Sequence, residues 1–142
     1  MVNVAEGIKS INLKKRDIRE FSGIELAYLG DAIWELEVRK YYLQFSYNIL
    51  KLNRIVKSKV NAKAQSIFLK KILPVLDDEQ KAIAKRAKNS NIKSFPKSCT
   101  VIEYREATAF EAVIGALYLS NKKDKLNEIK KLLIEGDGDG TV

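Results

Sequence analysis

Apolar positions recur every three or four residues through most of the chain, which is the spacing that places side chains on one side of an α-helix. No stretch alternates apolar and polar residues for long enough to indicate a strand, and glycine and proline are rare before the C-terminal end. The longest helix is predicted over residues 23–45, because Ser22 and Glu25 form a capping box at its start. The pattern therefore predicts an all-α protein.

Polar caps and one proline divide the rest of the helical pattern. A second helical region opens at Asn48, has an expected break near Asn61, and ends before Pro74, which cannot continue it. Asp77 caps the next helix, whose first turn carries acidic residues that suit the helix dipole. We predict these further helices over about 48–72, 77–89, 102–119 and 123–133, with a polar loop over 90–98.

The chain has 142 residues, the size of one domain. We divide it into an N-terminal segment (1–16), a helical domain (17–134) and a flexible tail (135–142). Alternating glycine and aspartate make the tail similar to half of a calcium-binding loop, but most of the ligands and the closing glutamate are missing. We interpret the tail as a frayed terminus.

Two carboxylates lie within segments that are otherwise almost entirely apolar. Apolar residues surround Asp31 on nearly every side of the first helix, which predicts that this helix and Asp31 are buried. Gly30, beside it, lets another backbone or a ligand approach closely. Glu111 is the single charged residue in 107–119, where small residues favour close helix packing.

Each of these acids needs compensation, because an unpaired buried carboxylate costs on the order of several kcal/mol. Neither has a lysine or arginine within one helical turn. Each could be protonated, could accept hydrogen bonds from a helix N-terminus or a Ser or Thr hydroxyl, or could bind a cation. Oxygen ligands without histidine or cysteine favour Mg²⁺ or Mn²⁺ over zinc. Glu35, one turn after Asp31, is either a further ligand or an ordinary exposed residue.

Absent residue types narrow the chemistry further. The chain has no histidine, and Cys99 is its one cysteine. This excludes a histidine general base, and within one chain it excludes a thiolate zinc cluster and a disulfide; it also argues against a papain-like nucleophile. The N-terminus lacks the apolar core of a signal peptide and no apolar run is long enough to span a membrane, so we expect a cytoplasmic protein.

The net charge is +8, and residues 51–97 contain thirteen lysines and arginines but only three acidic residues. Such a stretch is typical of proteins that bind nucleic acid, although a solvated lysine-rich surface has the same composition. The basic loop at 90–98, anchored by Phe95 and Pro96, is a candidate to enter a groove. The candidate RNA-binding residues are Lys57, Lys59, Lys63, Arg86, Lys88, Asn89, Lys93 and Lys97.

Five segments of the chain, including LAYLGDA at 26–32 and TAFEAVIGALYL at 108–119, together resemble the ribonuclease III family. The family's signature helix is similar to residues 26–32 (LAYLGDA), and its second catalytic helix to residues 108–119 (TAFEAVIGALYL). Its bacterial branch Mini-ribonuclease III, which has the catalytic domain but no double-stranded-RNA-binding domain, is similar also at VNAKAQ (60–65), at KRAKN (85–89), and at Pro96-Lys97 leading into Tyr104-Arg105. The resemblance covers about residues 17–133 in the same order.

The resemblance implies an all-helical homodimer with a catalytic valley along the subunit interface. In that valley Asp31 and Glu111 would hold Mg²⁺, or Mn²⁺ in its place, and hydrolyse double-stranded RNA to 5′-phosphate and 3′-hydroxyl ends. It further implies maturation of the ends of large-subunit (23S) ribosomal RNA within a ribosomal precursor, with the possible involvement of a ribosomal protein that presents the substrate.

This chain departs from the wider family at two positions. Classical members carry a glutamate one turn before the signature aspartate, where this chain has Ala27. They also carry an acid three residues before the second-helix glutamate, where this chain has Thr108. Both replacements resemble the Mini-ribonuclease III branch, which retains two acids per site. The number of metal ions per site and the roles of Thr108 and Glu35 are left open.

Trp34, Tyr41, Tyr42 and Phe45 add aromatic surface that is either part of a dimer interface or ordinary core packing. Two other functions also fit the sequence. A catalytically idle RNA-binding or ribosome-associated protein on the same fold would keep the basic surface and give both acids structural roles. A helical protein–protein scaffold would be basic only incidentally.

Overall fold

The computed structural model describes residues 17–135, and this part of the chain contains six α-helices and no strand, which confirms the all-α prediction. Two short 3₁₀ turns, Ile18–Glu20 and Leu73–Val75, accompany the helices. The helices are α1 (Gly23–Leu43), α2 (Ile49–Val60), α3 (Ala62–Ile72), α4 (Asp78–Lys88), α5 (Val101–Leu119) and α6 (Lys123–Leu133).

Side-chain caps set the helix boundaries where the sequence predicted them. Ser22 and Asp77 form capping boxes at the starts of α1 and α4. The expected break in the second helical region lies at Asn61, whose extended backbone ends α2 while its side chain accepts a hydrogen bond from the backbone N–H of Ala64 in α3. Pro74 lies in the 3₁₀ turn that follows α3.

Helices α1 and α5 form the centre of the fold and touch through their backbones. A Cβ atom at Gly30 would lie 1.7 Å from the carbonyl oxygen of Glu111, and one at Gly115 would lie 2.1 Å from the carbonyl oxygen of Leu26. Both distances are far below van der Waals contact, so a larger residue at either position would force the helices apart. The close approach expected at Gly30 is confirmed, and the approaching group is the backbone of α5.

The remaining helices enclose α5. Helices α3 and α4 pack against it, α6 closes its far end, and α2 packs against α1. As a result, every residue from Glu106 to Leu117 is buried except Glu111, which is partly buried. Glu111 is thus the one partly accessible position within the buried stretch 106–117.

The aromatic residues proposed for a dimer surface instead belong to the core. Trp34 and Tyr42 are fully buried, and Tyr41 and Phe45 are partly buried and pack against the core. Trp34 meets Phe110 edge to face with ring centroids 5.0 Å apart, and its indole Nε1–H donates a hydrogen bond to the Lys59 carbonyl at 2.9 Å. The core-packing alternative is therefore correct.

The prediction that the first helix is buried on every side is wrong. Ile24, Tyr28 and Leu36 are 49%, 85% and 52% exposed, and Asp31 is exposed on the same side of α1. We call Ile24, Tyr28 and Leu36 the open α1 face. A helix that is apolar on nearly every side does not show by its pattern which side meets the core, so the sequence did not identify this face.

The N-terminal segment 1–16 and residues 136–142 of the tail lie outside the described residues, so the predictions made for them stay predictions. Within the described part of the chain, no helix is long and apolar enough to cross a membrane.

Candidate functional site

Asp31 and Glu111 meet where α1 and α5 are in backbone contact. Because Gly30 lies against the Glu111 carbonyl, the residue that follows it is held beside the Glu111 side chain. The two carboxyl groups are hydrogen-bonded to each other. The two acids that the sequence singled out, 80 positions apart, therefore form one site.

The two acids differ in their access to solvent. Asp31 is exposed, contrary to the sequence prediction, whereas Glu111 is partly buried beneath it. Burial raises the pKa of Glu111 to about 9, and both the hydrogen bond to Asp31 and the negative charge of Asp31 act in the same direction. Without a cation, Glu111 is therefore protonated at neutral pH. Protonation, one of the three kinds of compensation that the sequence leaves open, therefore applies to Glu111 when no cation is bound.

Within the described residues, the Asp31–Glu111 pair has no basic partner. Among residues 17–135, no lysine or arginine forms an ion pair with Asp31 or Glu111. Glu35, the candidate third acid, is paired with Arg39 one turn further along α1. The described residues hold no group of three or more acids, histidines or cysteines that could bind a metal, so this site offers two carboxylates.

Thr108 lies one turn before Glu111 and is committed to its own helix. Its hydroxyl donates a hydrogen bond to the Tyr104 carbonyl at 2.9 Å, a common arrangement for threonine inside a helix. The hydroxyl keeps its lone pairs, but its proton is not available to a ligand. Ala27, at the other position where the classical family has an acid, is buried in the core.

A third polar residue, Gln65 of α3, completes the site and was not identified from sequence. Its side chain faces Glu111, where the contact with its amide lowers the pKa of the carboxyl and so opposes the effect of burial. Gln65 is 2% exposed, and its amide nitrogen makes no hydrogen bond of good geometry within the described residues. A buried amide in this state costs about 1–3 kcal/mol. The only signal in the sequence was its place in VNAKAQ (60–65), one of the segments that carry the family resemblance.

Glu106, on the same helix, shows what a structural acid looks like in this protein. It is 8% exposed, its carboxylate accepts a hydrogen bond from the Ser66 hydroxyl at 2.7 Å, and the Lys70 ammonium lies 3.9 Å away. This carboxylate has both a hydrogen-bond donor and a nearby positive charge. Glu111, by contrast, has no positively charged side chain paired with it in the described residues, and its principal neighbour is another acid, Asp31.

The loop at 90–98 is fixed beside the site. The Arg105 guanidinium donates hydrogen bonds to the carbonyls of Lys88 and Ser90, both at 3.0 Å, and the ring of Phe95 packs on that of Tyr104. A cavity of about 160 Å³ separates this loop from the central helices. It is lined by Ile24, Ala87, Ser90, Asn91, Ile92, Lys93, Ser94, Tyr104, Arg105 and Thr108. Lys93 thus borders the same cavity as Thr108, one helical turn from Glu111.

Most of the candidate RNA-binding residues are exposed. These are Lys57, Lys63, Arg86, Lys88, Asn89, Lys93 and Lys97. The exception is Lys59, which is partly buried and whose backbone carbonyl accepts a hydrogen bond from the Trp34 indole. Arg86 also has a structural role, because its guanidinium donates a hydrogen bond to the Phe21 carbonyl at 2.8 Å and ties α4 to the start of α1.

Comparison with known proteins identifies the family of this chain. The ribonuclease III domain family matches residues 24–122, a range that contains both acids and the loop. A "Mini-ribonuclease 3-like protein" of Fusobacterium nucleatum is 64% identical over 122 residues, covering 86% of this chain and 95% of that protein. A "Mini-ribonuclease 3" of Clostridium tetani is 37% identical, covering 84% of this chain and 81% of that protein.

A solved structure also matches. A crystal structure of a Fusobacterium nucleatum protein superimposes with a TM-score of 0.81 at 62% identity, and the match covers 87% of this chain and 99% of the other. The chain therefore belongs to the ribonuclease III family, in its Mini-ribonuclease III branch.

Proposed function

We propose that this ribonuclease III-type endoribonuclease hydrolyses phosphodiesters of double-stranded RNA with Mg²⁺ held by Asp31 and Glu111. The observation that carries the proposal is the pairing of these two carboxyl groups without a basic partner in the described residues. Acids that face each other in this way repel when both are charged, and a divalent cation between them would remove the repulsion.

The donor set fits such a cation. Carboxylate oxygens without nitrogen or sulfur ligands favour Mg²⁺, and Mn²⁺ could substitute. When bound, Mg²⁺ would supply Lewis-acid activation of water and neutralise the charge that develops on the phosphate. Glu111 would give up its proton to bind, and Asp31, which is exposed, would face the incoming RNA. No histidine base is required, in agreement with a chain that has none.

The basic surface supports a duplex RNA substrate. Double-stranded RNA is recognised mainly through phosphates and 2′-hydroxyls, which lysines, arginines and asparagines can contact. Lys88 and Asn89 at the end of α4, and Lys93 and Lys97 in the loop that follows, are exposed and lie within ten positions of one another in the chain. We propose this surface as the RNA-binding surface, with Lys57, Lys63 and Arg86 extending it.

The biological substrate that we propose is the precursor of 23S ribosomal RNA, whose ends the enzyme would mature in the cytoplasm. A ribosomal protein could present the duplex to the site. These assignments follow the family resemblance and are consistent with the net charge of +8.

We also propose that two copies associate through the open α1 face. Tyr28 is 85% exposed at its centre, with Ile24 and Leu36 on either side, and a monomer would leave this apolar surface in water. Asp31 is exposed on the same side of α1, so a partner seated there would lie next to the site. Such a dimer would bring two sites to one interface, where one duplex could reach both.

Our first prediction concerns cleavage. Asp31→Ala and Glu111→Gln should each reduce the rate of duplex RNA cleavage in Mg²⁺ by at least ~10²–10³-fold. Each removes a carboxylate that would hold the Mg²⁺, which neutralises the charge developing on the phosphate in the transition state. Glu106→Gln is the matched control, since it makes the same change on the same helix at an acid outside the site. Gel analysis of a labelled duplex measures the rates.

Binding measured on the same proteins separates the rival functions. RNA affinity should be retained in both site variants and should fall steeply with salt, because phosphate contacts release counterions. Binding without cleavage by the wild-type protein would support a catalytically idle RNA-binding protein. Absence of binding at low salt would support a scaffold.

A second prediction concerns pH. The pKa of Glu111 is about 9 in the folded state and 4.5 as the ordinary value, so between these values the folded state binds a proton that the unfolded state has released. This proton makes folding less favourable as pH rises, by at most about 1.4 kcal/mol per pH unit. Glu111→Gln carries no such proton. In EDTA the variant should therefore gain stability relative to wild type from pH 5 towards pH 9.

Thermal unfolding of both proteins across this pH range measures the difference. The gap in unfolding midpoint should widen with pH in favour of Glu111→Gln. A variant that is much less stable than wild type at every pH would show instead that Glu111 has a structural role.

A third prediction concerns assembly. Sedimentation at micromolar concentration should give the wild-type protein twice its chain mass of 16.1 kDa, and Tyr28→Asp should give one chain mass, because it places a charge at the centre of the open α1 face. Tyr118→Asp, at a tyrosine that is 52% exposed on α5, should leave the dimer intact. A monomeric wild-type protein would contradict the proposed interface.

A further inference from the structure

The amide of Gln65 is the least satisfied polar group near the site. Its side chain is 2% exposed and its Nε2 has no hydrogen-bond partner of good geometry in residues 17–135. Buried polar groups in folded proteins are normally paired, so each exception needs a reason. Phe68 and Leu69, which are buried on the same helix, show that apolar side chains fill the neighbouring core positions. Packing alone therefore does not explain an amide here.

The register of α3 against α5 explains where this amide points. Ser66, the next residue, donates a hydrogen bond to Glu106 at 2.7 Å. Gln65 faces Glu111, five positions further along α5. Two consecutive polar residues of α3 thus face the two acids of the buried part of α5. The Ser66 hydroxyl therefore has an acceptor, whereas Nε2 of Gln65 has no acceptor at good hydrogen-bond geometry in the described residues.

We propose that Gln65 is a positioning residue, which holds the Glu111 carboxylate in the orientation that binds a divalent cation together with Asp31. This inference rests on the proposed function. A carboxylate that binds a cation through one oxygen leaves the other free to accept an N–H, and such supporting hydrogen bonds orient ligands in metal sites. The unpaired Nε2 of Gln65 is the donor that the described residues place there.

An amide suits this role better than a charged group. Lysine or arginine at this position would neutralise Glu111 and repel the incoming cation. Glutamine donates a hydrogen bond while adding no net charge, so both negative charges remain for the cation. Because Gln65 is 2% exposed, water cannot readily take over the hydrogen bond when the amide is removed.

Manganese binding without RNA tests the proposal directly. Gln65→Met and Gln65→Leu remove the donor with little change in volume, and Ser66→Ala is the matched control, because it removes the neighbouring hydrogen bond to an acid outside the site. Electron paramagnetic resonance titration should show Mn²⁺ affinity reduced by about 10–100-fold in the Gln65 variants. Affinity should be unchanged in Ser66→Ala. Two apolar replacements guard against one of them failing to fold.

Steady-state kinetics give a second readout that a merely structural role would not move. Gln65 is too buried to contact RNA, so the KM for duplex RNA should stay at the wild-type value. The kcat of the Gln65 variants should fall at limiting Mg²⁺ and recover as Mg²⁺ is raised. A changed KM, or a loss of kcat that saturating Mg²⁺ does not restore, would overturn the positioning role.

The outcomes separate this inference from the function on which it rests. Wild-type Mn²⁺ binding that depends on Asp31 but is unaffected by Gln65→Met and Gln65→Leu overturns the role of Gln65 and leaves the proposed function standing. Wild-type protein that binds no Mn²⁺, or binds it equally well after Asp31→Ala, overturns the metal site and the role of Gln65 together.

Discussion

The backbone contact between Gly30 of α1 and the carbonyl of Glu111 on α5 is the constraint on which the rest of the site depends. A Cβ atom there would lie 1.7 Å from that oxygen, so the two helices approach at a distance that only glycine permits. This contact holds Asp31 beside Glu111, and the enclosure of α5 by α3 and α4 brings Gln65 and the basic loop to the same place. The α1–α5 contact, together with the packing of α3 and α4 on α5, thus brings residues from four parts of the chain to one site.

Glu106 and Glu111, two acids on the same helix α5, have different surroundings. Glu106 has a hydroxyl donor and a lysine nearby, and its environment accounts for its charge within the chain. Glu111 has an acid and a neutral amide as its neighbours, and burial and Asp31 together raise its pKa to about 9. Natural proteins retain such unfavourable arrangements mainly at functional sites. The contrast on a single helix supports a ligand-binding role for Glu111 more strongly than its burial alone.

Local sequence signals predicted the helices well and the surroundings of the site less well. Ser22, Asn61 and Asp77 act through contacts within a few residues, so their positions could be inferred from the chain itself. The exposure of Asp31 could not be inferred in this way, because a helix that is apolar on nearly every side does not show which side meets the core. The position of Gln65 beside Glu111 could not be inferred either, because it depends on how α3 is aligned against α5, and the periodicity of a single helix does not determine that alignment.

Anomalous diffraction from crystals soaked in Mn²⁺ would test most directly whether Asp31 and Glu111 hold a divalent cation between them. We expect a peak within about 2 Å of a carboxylate oxygen of each residue, with the Gln65 amide donating to the other oxygen of Glu111. Crystals in which Mn²⁺ binds elsewhere, while the two carboxyl groups keep their hydrogen bond to each other, would contradict it.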